Sequence, residues 1–337
     1  MTRLTTAETT ATAEWIASVQ LPSGMIPWYP GGHADPWNHT EAAMALVRAG
    51  LRSEAERAYD WLAHSQLDDG AWCAYYLADG VEEPRRDPNV VAYVATGVWW
   101  HYLETKDRGL LEDLWPMVEA AMGFALRMQL ETGAFAWSLG PDGRMSDSAL
   151  LTGTSSVHHS LRAAVAIATE LGHERPEWEL AAGRAAHAIA HRPLAFVSKD
   201  RWAMDWYYPV LCGALSTDRA AERIEVGWST FVLDGVGVRC VCDQPWVTAA
   251  ETAECVMALD SLGMSAEATQ LLGWTRHLRC DDGAYWTGCV HPQCVRYPGG
   301  ERSTYRAAAV VMVEHVVYGS GATTGLLRGK SLPTVME

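Results

Sequence analysis

Carboxylates, indoles and basic side chains recur at six places in this chain, each just ahead of a strongly apolar segment. The groups are Asp35, Trp37, Asn38 and His39 with Glu41 behind; Arg86 and Asp87; Ser155 and His158; Asp205, Trp206 and Tyr207; Arg239, Asp243 and Trp246; and Glu301 with Tyr305. Gathered in one cleft, such residues suit glycosyl transfer to water. That reaction needs two carboxyl groups about 5 to 10 Å apart across the scissile bond. One must hold a proton near neutrality while the other stays ionised. Aromatic faces carry the sugar ring, and Arg, Asn and His fix its hydroxyls. Asp35, Asp87, Asp205 and Glu301 are the candidate catalytic carboxylates, and the other residues named are candidate substrate contacts. A plainer role competes at each acid. An Asp before a helix is ordinarily its N-cap. Glu41 and Glu251, a turn inside apolar segments, read as buried structural carboxylates.

The elements that must position these groups come in pairs. Twelve helical stretches form six pairs, with long links inside each pair and short links between pairs. The second helices, beginning near Thr40, Asn89, Thr154, Trp206, Trp246 and Arg302, are apolar nearly all round, which marks buried helices. The first helices keep one polar side. This pattern predicts an all-α fold: an (α/α)6 toroid of six hairpins, second helices inside and first helices outside. The toroid spans residues 1–320, and residues 321–337 are expected to be an exposed tail. Strand signal is slight beyond Gly235 to Val241. A turn signature recurs after the first helices, with Gln20 and Gly24, Gln66 and Gly70, Gln129 and Gly133, and Gly283 in the last unit. Repetition at a period of about fifty residues is typical of helical arrays. Such a ring brings every long loop to one rim, at the N-terminal ends of the inner helices. Those ends carry unpaired amide donors and partial positive charge, which favour oxygen-rich ligands.

The chain has 337 residues, with 26 Lys and Arg against 41 Asp and Glu. A net charge of −15 and no basic stripe argue against a nucleic-acid partner. No apolar run is long enough to span a bilayer, so no membrane partner is expected. Met1 to Thr12 is polar and lacks a secretory h-region. The eight Cys then read as reduced thiols, and a cytoplasmic location is expected. Trp and Tyr number 16 and 12 against only 4 Phe, a usage that suits stacking on sugar rings. Cys280, Cys289, His291 and Cys294 crowd the last long loop, with Cys240 and Cys242 in the one before. Their spacing matches no closed zinc module, so no metal and no cofactor are expected.

Tyr102-Leu103-Glu104-Thr105-Lys106-Asp107 and Leu114-Trp115-Pro116-Met117-Val118, then the Gly133 turn with Trp137, resemble the six-hairpin glycosidases, the (α/α)6 family that includes glucoamylase-type enzymes. Trp61-Leu62, Gln66 and Asp69-Gly70-Ala71-Trp72 fit the same outline. The resemblance implies hydrolysis of a small glycoside or sugar-bearing metabolite. It also implies a proton donor in the third long loop and a base in the sixth, where Glu301 falls. Ser138 stands where glucoamylase-like members place the acid, with Asp142 and Asp147 nearby. Uronate-cleaving relatives instead use Asp residues of the first two hairpins, near Asp35 and Asp87. A second resemblance, carried by Gln66 to Trp72, is to terpene cyclases and prenyltransferase β-subunits. No Asp-x-Asp-Asp motif accompanies it. A toroid that binds a small molecule without catalysis is the third alternative.

Overall fold

The computed structural model describes residues 3–329 and 332–333. Its helices are α1 (Thr6–Val19), α2 (Pro36–Arg48), α3 (Arg52–Ser65), α4 (Pro88–Thr105), α5 (Arg108–Arg127), α6 (Leu151–Leu171) and α7 (Pro176–His191). They continue as α8 (Ala203–Leu211), α9 (Thr217–Phe231), α10 (Ala249–Ser261), α11 (Ser265–Trp274), α12 (Thr304–Tyr318) and α13 (Ala322–Leu327). The even-numbered helices α2 to α12 contact one another in sequence, and α12 contacts α2, which closes the inner ring. Each packs chiefly on the odd-numbered outer helix that follows it in the chain, and α12 packs on α1. Two inner helices announce their start in sequence. Asp35-Pro36 and Asp87-Pro88 each set an N-cap carboxylate before a proline at the first helical position.

The outer ring is joined by the Gln and Gly turns. Gln66 Nε2 donates both to Gly70 O within its own turn (3.0 Å) and to Met117 O on α5 (2.9 Å). Gln20 bridges Gly24 O and Glu54 O, and Gln129 bridges Gly133 O and Ala181 O, in the same way. The glycines let each turn sit directly on the next outer helix. A Cβ on Gly70, at φ +86°, would stand 2.2 Å from Ala120 O. The last turn meets the first helix: a Cβ on Gly283 would lie 2.5 Å from the Ala11 carbonyl. Gln is absent there, and Arg276 and Arg279 reach Glu8 on α1 instead.

Of three small sheets among the described residues, the one holding Gly237–Val238 falls in the Gly235 to Val241 stretch read as strand, and the other two depart from the sequence expectation. Strands β1 (Tyr75–Leu77) and β2 (Gly80–Glu83) form a hairpin, as do β3 (Val232–Leu233) and β4 (Gly237–Val238). Strands β5 (Trp246–Thr248), β6 (Trp286–Val290) and β7 (Val295–Arg302) form a third antiparallel sheet. Their Gly, Cys and Pro content hides the period-two alternation by which strands are read. The tail is not the expected exposed appendix. Leu326, Leu327 and Leu332 are buried, and α13 packs against α12 and α4. Arg162 donates to the carbonyls of Gly329, Leu332 and Pro333. The reason is apolar area: the segment covers inner-helix surface that water would otherwise reach. Positions 330, 331 and 334–337 of that tail lie outside the described residues. Among the described residues, no helix is long and apolar enough to cross a membrane.

The Gly70 docking can be separated from its backbone strain. Gly50 has a similar φ of +87°, but a Cβ there would meet nothing within 4 Å. Gly50→Ala is expected to cost about 1 kcal/mol, and Gly70→Ala about 2 kcal/mol or more, in denaturant unfolding. Equal losses would show that the turn-to-helix contact contributes nothing.

Candidate active site

The rim bearing the inner-helix N-termini holds two cavities. The central one, about 250 Å³, is lined by Trp28, Asp35, Trp37 and Asn38 of the first hairpin and by Tyr75, Arg85, Asp87 and Asn89 of the second. Glu251 and Glu254 of α10 and Tyr305 of α12 close it. The other, about 260 Å³, is more apolar, with Phe135, Trp137, Leu150, Val157 and Trp202 in its wall and Asp205 at one side. The two adjoin at Asp87, Asn89 and Met204, which line both. Trp137 and Trp202 are about two-fifths exposed (40% and 41%), unusual for indoles without a ligand to cover them. Trp37 stacks on Tyr93 with ring centroids 4.5 Å apart. Trp37 Nε1 and Asn89 Oδ1 are buried and bonded to no protein group. Buried polar atoms left so cost roughly 1–3 kcal/mol each unless a ligand or water meets them.

Burial dominates the electrostatics. Asp35 Oδ1 accepts from the amides of Trp37 (2.8 Å) and Asn38 (3.0 Å), and Oδ2 from Trp28 Nε1 and Asn38 Nδ2 (both 2.5 Å). Burial still pushes its carboxyl upward against those four donors. Asp87 accepts from the Asn89 amide (2.9 Å) and lies 3.5 Å from Arg85 Nη1. Burial outweighs both and lifts it to about 6. Beneath the cavity, Glu254 is lifted by burial to about 8, although the hydroxyls of Tyr207 and Tyr208 donate to it. Glu41 is driven well above its usual range by burial and then by Glu254 and Asp35. The partly buried Arg306 on α12 stands within electrostatic reach of Glu251 and Glu254. The Thr248 hydroxyl donates to Glu251. This is a set of carboxyls with separated proton affinities in one concave site, the arrangement that general acid and base chemistry requires.

The chain is 47% identical to the MMP endo-(1,4)-3-O-methyl-alpha-D-mannosidase of Mycolicibacterium hassiacum (strain DSM 44199 / CIP 105218 / JCM 12690 / 3849) over 334 residues, 99% of this chain and 92% of that protein. It belongs to that mannosidase's family. No protein-family model matches the chain. Solved structures of the same fold include a glycosidase in complex with glucose, 15% identical with a TM-score of 0.72, covering 92% of this chain and 96% of that one. A D-mannose isomerase is 11% identical with a TM-score of 0.73, covering 91% and 96%. A GH63 mannosylglycerate hydrolase from Thermus thermophilus, in complex with Tris and D-glycerate, is 13% identical with a TM-score of 0.67, covering 91% and 99%. The chain is thus a six-hairpin glycosidase, a carbohydrate-active enzyme that hydrolyses a glycoside. The terpenoid-cyclase and non-catalytic alternatives give way to that kinship.

In this mannosidase relative, the residues singled out from sequence divide sharply. Asp35, Trp37, Asn38, Asp87 and Tyr305 line the central cavity. Asp205 lines the second, accepting from the Thr152 hydroxyl at 2.5 Å. Glu41 and Tyr207 join the buried acids below. The others are occupied elsewhere. His39 Nδ1 accepts from the Ile26 amide (3.0 Å) and Nε2 faces Ala58 O (2.9 Å), so it ties the first loop to α3. His158 Nδ1 is 2.9 Å from Ala182 O, pinned to α7 rather than facing the cavity. Ser155 donates back to Leu151 O (2.8 Å) within its helix. Trp206 turns outward, donating to Arg223 O (2.8 Å) and stacking on Phe231. Arg86 pairs with Asp69 (3.6 Å), and Arg239 donates to Cys242 O (3.0 Å). Asp243 is ion-paired with Arg201 (2.7 Å), and Trp246 stacks on Tyr297 at 4.7 Å. Glu301 accepts from the Thr287 hydroxyl (2.7 Å) across the β6–β7 hairpin and lines neither cavity. Glu254 escaped sequence reasoning, although its i+3 spacing from Glu251 puts both on one helix face.

Glu254 makes folding stability depend on pH. Its carboxyl sits near 8 in the folded state against 4.5 for the free group, so the fold retains a proton that the unfolded chain releases. Its contribution is therefore complete below about pH 4.5 and is lost as pH rises through about 8. Glu254→Gln is expected to flatten the decline of the urea midpoint across that window. An unchanged slope would exclude Glu254 as the titrating group.

Proposed function

We propose that the chain cleaves internal α-(1,4) linkages in an O-methylated mannose chain, with Asp87 as proton donor and Glu251 as base. The substrate class follows the name of the 47%-identical relative. The observation that carries the assignment is the position of Asp87, where two cavities adjoin. An internal cut needs sugar sites on both sides of the scissile bond, and its proton donor at their junction. The apolar wall of the second cavity suits methyl ethers, which bring area to bury and no donor to satisfy.

Asp87 caps α4 and Glu251 lies on α10, helices three steps apart either way round the six-membered inner ring. That opposition favours a single displacement. Glu251 takes a proton from water as the water oxygen bonds to the anomeric carbon. The glycosidic C–O bond breaks, and the leaving oxygen takes its proton from Asp87. The product sugar would emerge with inverted configuration. Asp35, with its four donors, would orient Trp28 and Asn38 against the ring. A second reading makes Asp35 the donor, since burial lifts its carboxyl as well. We further place the enzyme in a reducing cytoplasm, because all eight cysteines are free. The net charge of −15 speaks against a nucleic-acid partner.

Asp87→Asn and Glu251→Gln are each expected to lower kcat on a methylated α-(1,4)-mannan oligosaccharide by ~10²–10⁴-fold, with folding intact. Loss of the donor alone spares substrates whose leaving group needs no proton. Mannosyl fluoride or an aryl mannoside should therefore rescue Asp87→Asn and not Glu251→Gln. Rescue of Asp35→Asn instead would move the donor to Asp35, and rescue of neither would defeat both readings.

The wild-type kcat should fall as pH rises through about 6, where Asp87 loses its proton. A flat profile from about pH 5 to 8 would be incompatible with this donor.

A further inference from the structure

Away from the groove, three soft donors converge on one point. His277 lies in the 3-10 turn Thr275–Leu278 that follows α11, Cys289 in β6, and Cys294 in the turn between β6 and β7. One ligand atom from each lies within 4.8 Å of the other two. The cysteine spacing alone points to His291 and gives no sign of His277, which reaches the thiols from a separate element.

Two details go beyond proximity. His277 Nε2 is 3.0 Å from Val236 O. A backbone carbonyl holds that nitrogen as the donor, which leaves the Nδ1 lone pair for a ligand. Histidines that bind metals ordinarily have their second nitrogen anchored this way. Cys294 has φ 51°, a left-handed backbone that costs free energy in a side-chain-bearing residue. In that conformation its thiol lies within 4.8 Å of the Cys289 thiol.

We propose that His277, Cys289 and Cys294 bind a zinc ion, with a fourth position open to water. A tetrahedral centre with Zn–S of about 2.3 Å and Zn–N of about 2.0 Å holds its donors roughly 3.3–3.8 Å apart. The three atoms therefore need to close by little more than about 1 Å. Binding releases the two thiol protons to solvent, and two thiolates neutralise the dication. Arg296, which donates to His277 O at 3.1 Å, then faces a neutral centre. The ion would tie the 3-10 turn to the β6–β7 hairpin. That hairpin pairs with β5, whose last residue Thr248 leads into α10 and donates to Glu251. The site is therefore a clamp behind the catalytic segment.

The test uses the full chain purified under reducing conditions without chelator, incubated with zinc chloride and passed through gel filtration. Elemental analysis is expected to find about one zinc per chain. Competition with a chromophoric chelator should give a 1:1 stoichiometry, and removal of the metal should lower Tm. Cys294 is only partly buried, so C294S should fold and should lose the zinc. C280S, in the same loop but outside the cluster, should keep it. Zinc at background in the wild-type protein would overturn the proposal. So would full zinc retention in a folded C294S.

Discussion

The toroid depends on a turn that lies flat against its neighbour's backbone. Gly70 sits so close to α5 that a methyl group would overlap Ala120 O, and Gln66 reaches across the same seam to Met117 O. Repeated at Gln20 and Gln129, this contact sets how far one outer helix lies from the next. The ring closes because Gly283, in the last turn, makes the same approach to α1. Each hairpin alone would expose an apolar inner helix, so stability comes from neighbours stacking, and the cyclic array leaves no end uncapped.

Closure has an electrostatic consequence. Six inner helices present their N-terminal ends to one rim, and the long loops fold over it. Carboxylates collected there are removed from water faster than they can be paired. Asp87 and Glu254 rise to about 6 and about 8 for that reason, despite donors close to each. Both line the central cavity, so this cost is concentrated in one place. Elsewhere its charges follow the ordinary rule: Arg201 with Asp243 and Arg302 with Asp282 are exposed pairs.

The architecture was legible in the sequence because it follows from local rules. Apolar periodicity separates inner from outer helices, and Asp-Pro marks the start of α2 and α4. The Gln and Gly turns carry the repeat. The β5–β6–β7 sheet was not legible, since Gly, Cys and Pro in β6 and β7 break the alternation by which strands are read. The buried tail was missed because nothing local shows which surface a terminal segment will cover.

Sequence by itself determined that acids and indoles gather at the mouths of buried helices, because caps, prolines and periodicity are short-range. It did not determine which of them meet. His39, His158, Trp206 and Glu301 stand at the right loops and turn away from the cavities, while Glu254 points in from a full turn down α10. A helix rotates by about 100° per residue, so one position decides whether a side chain faces substrate or its outer partner. Only tertiary packing sets that angle, and only the closed ring brings Asp87 and Glu251, far apart in the chain, into the lining of one cavity.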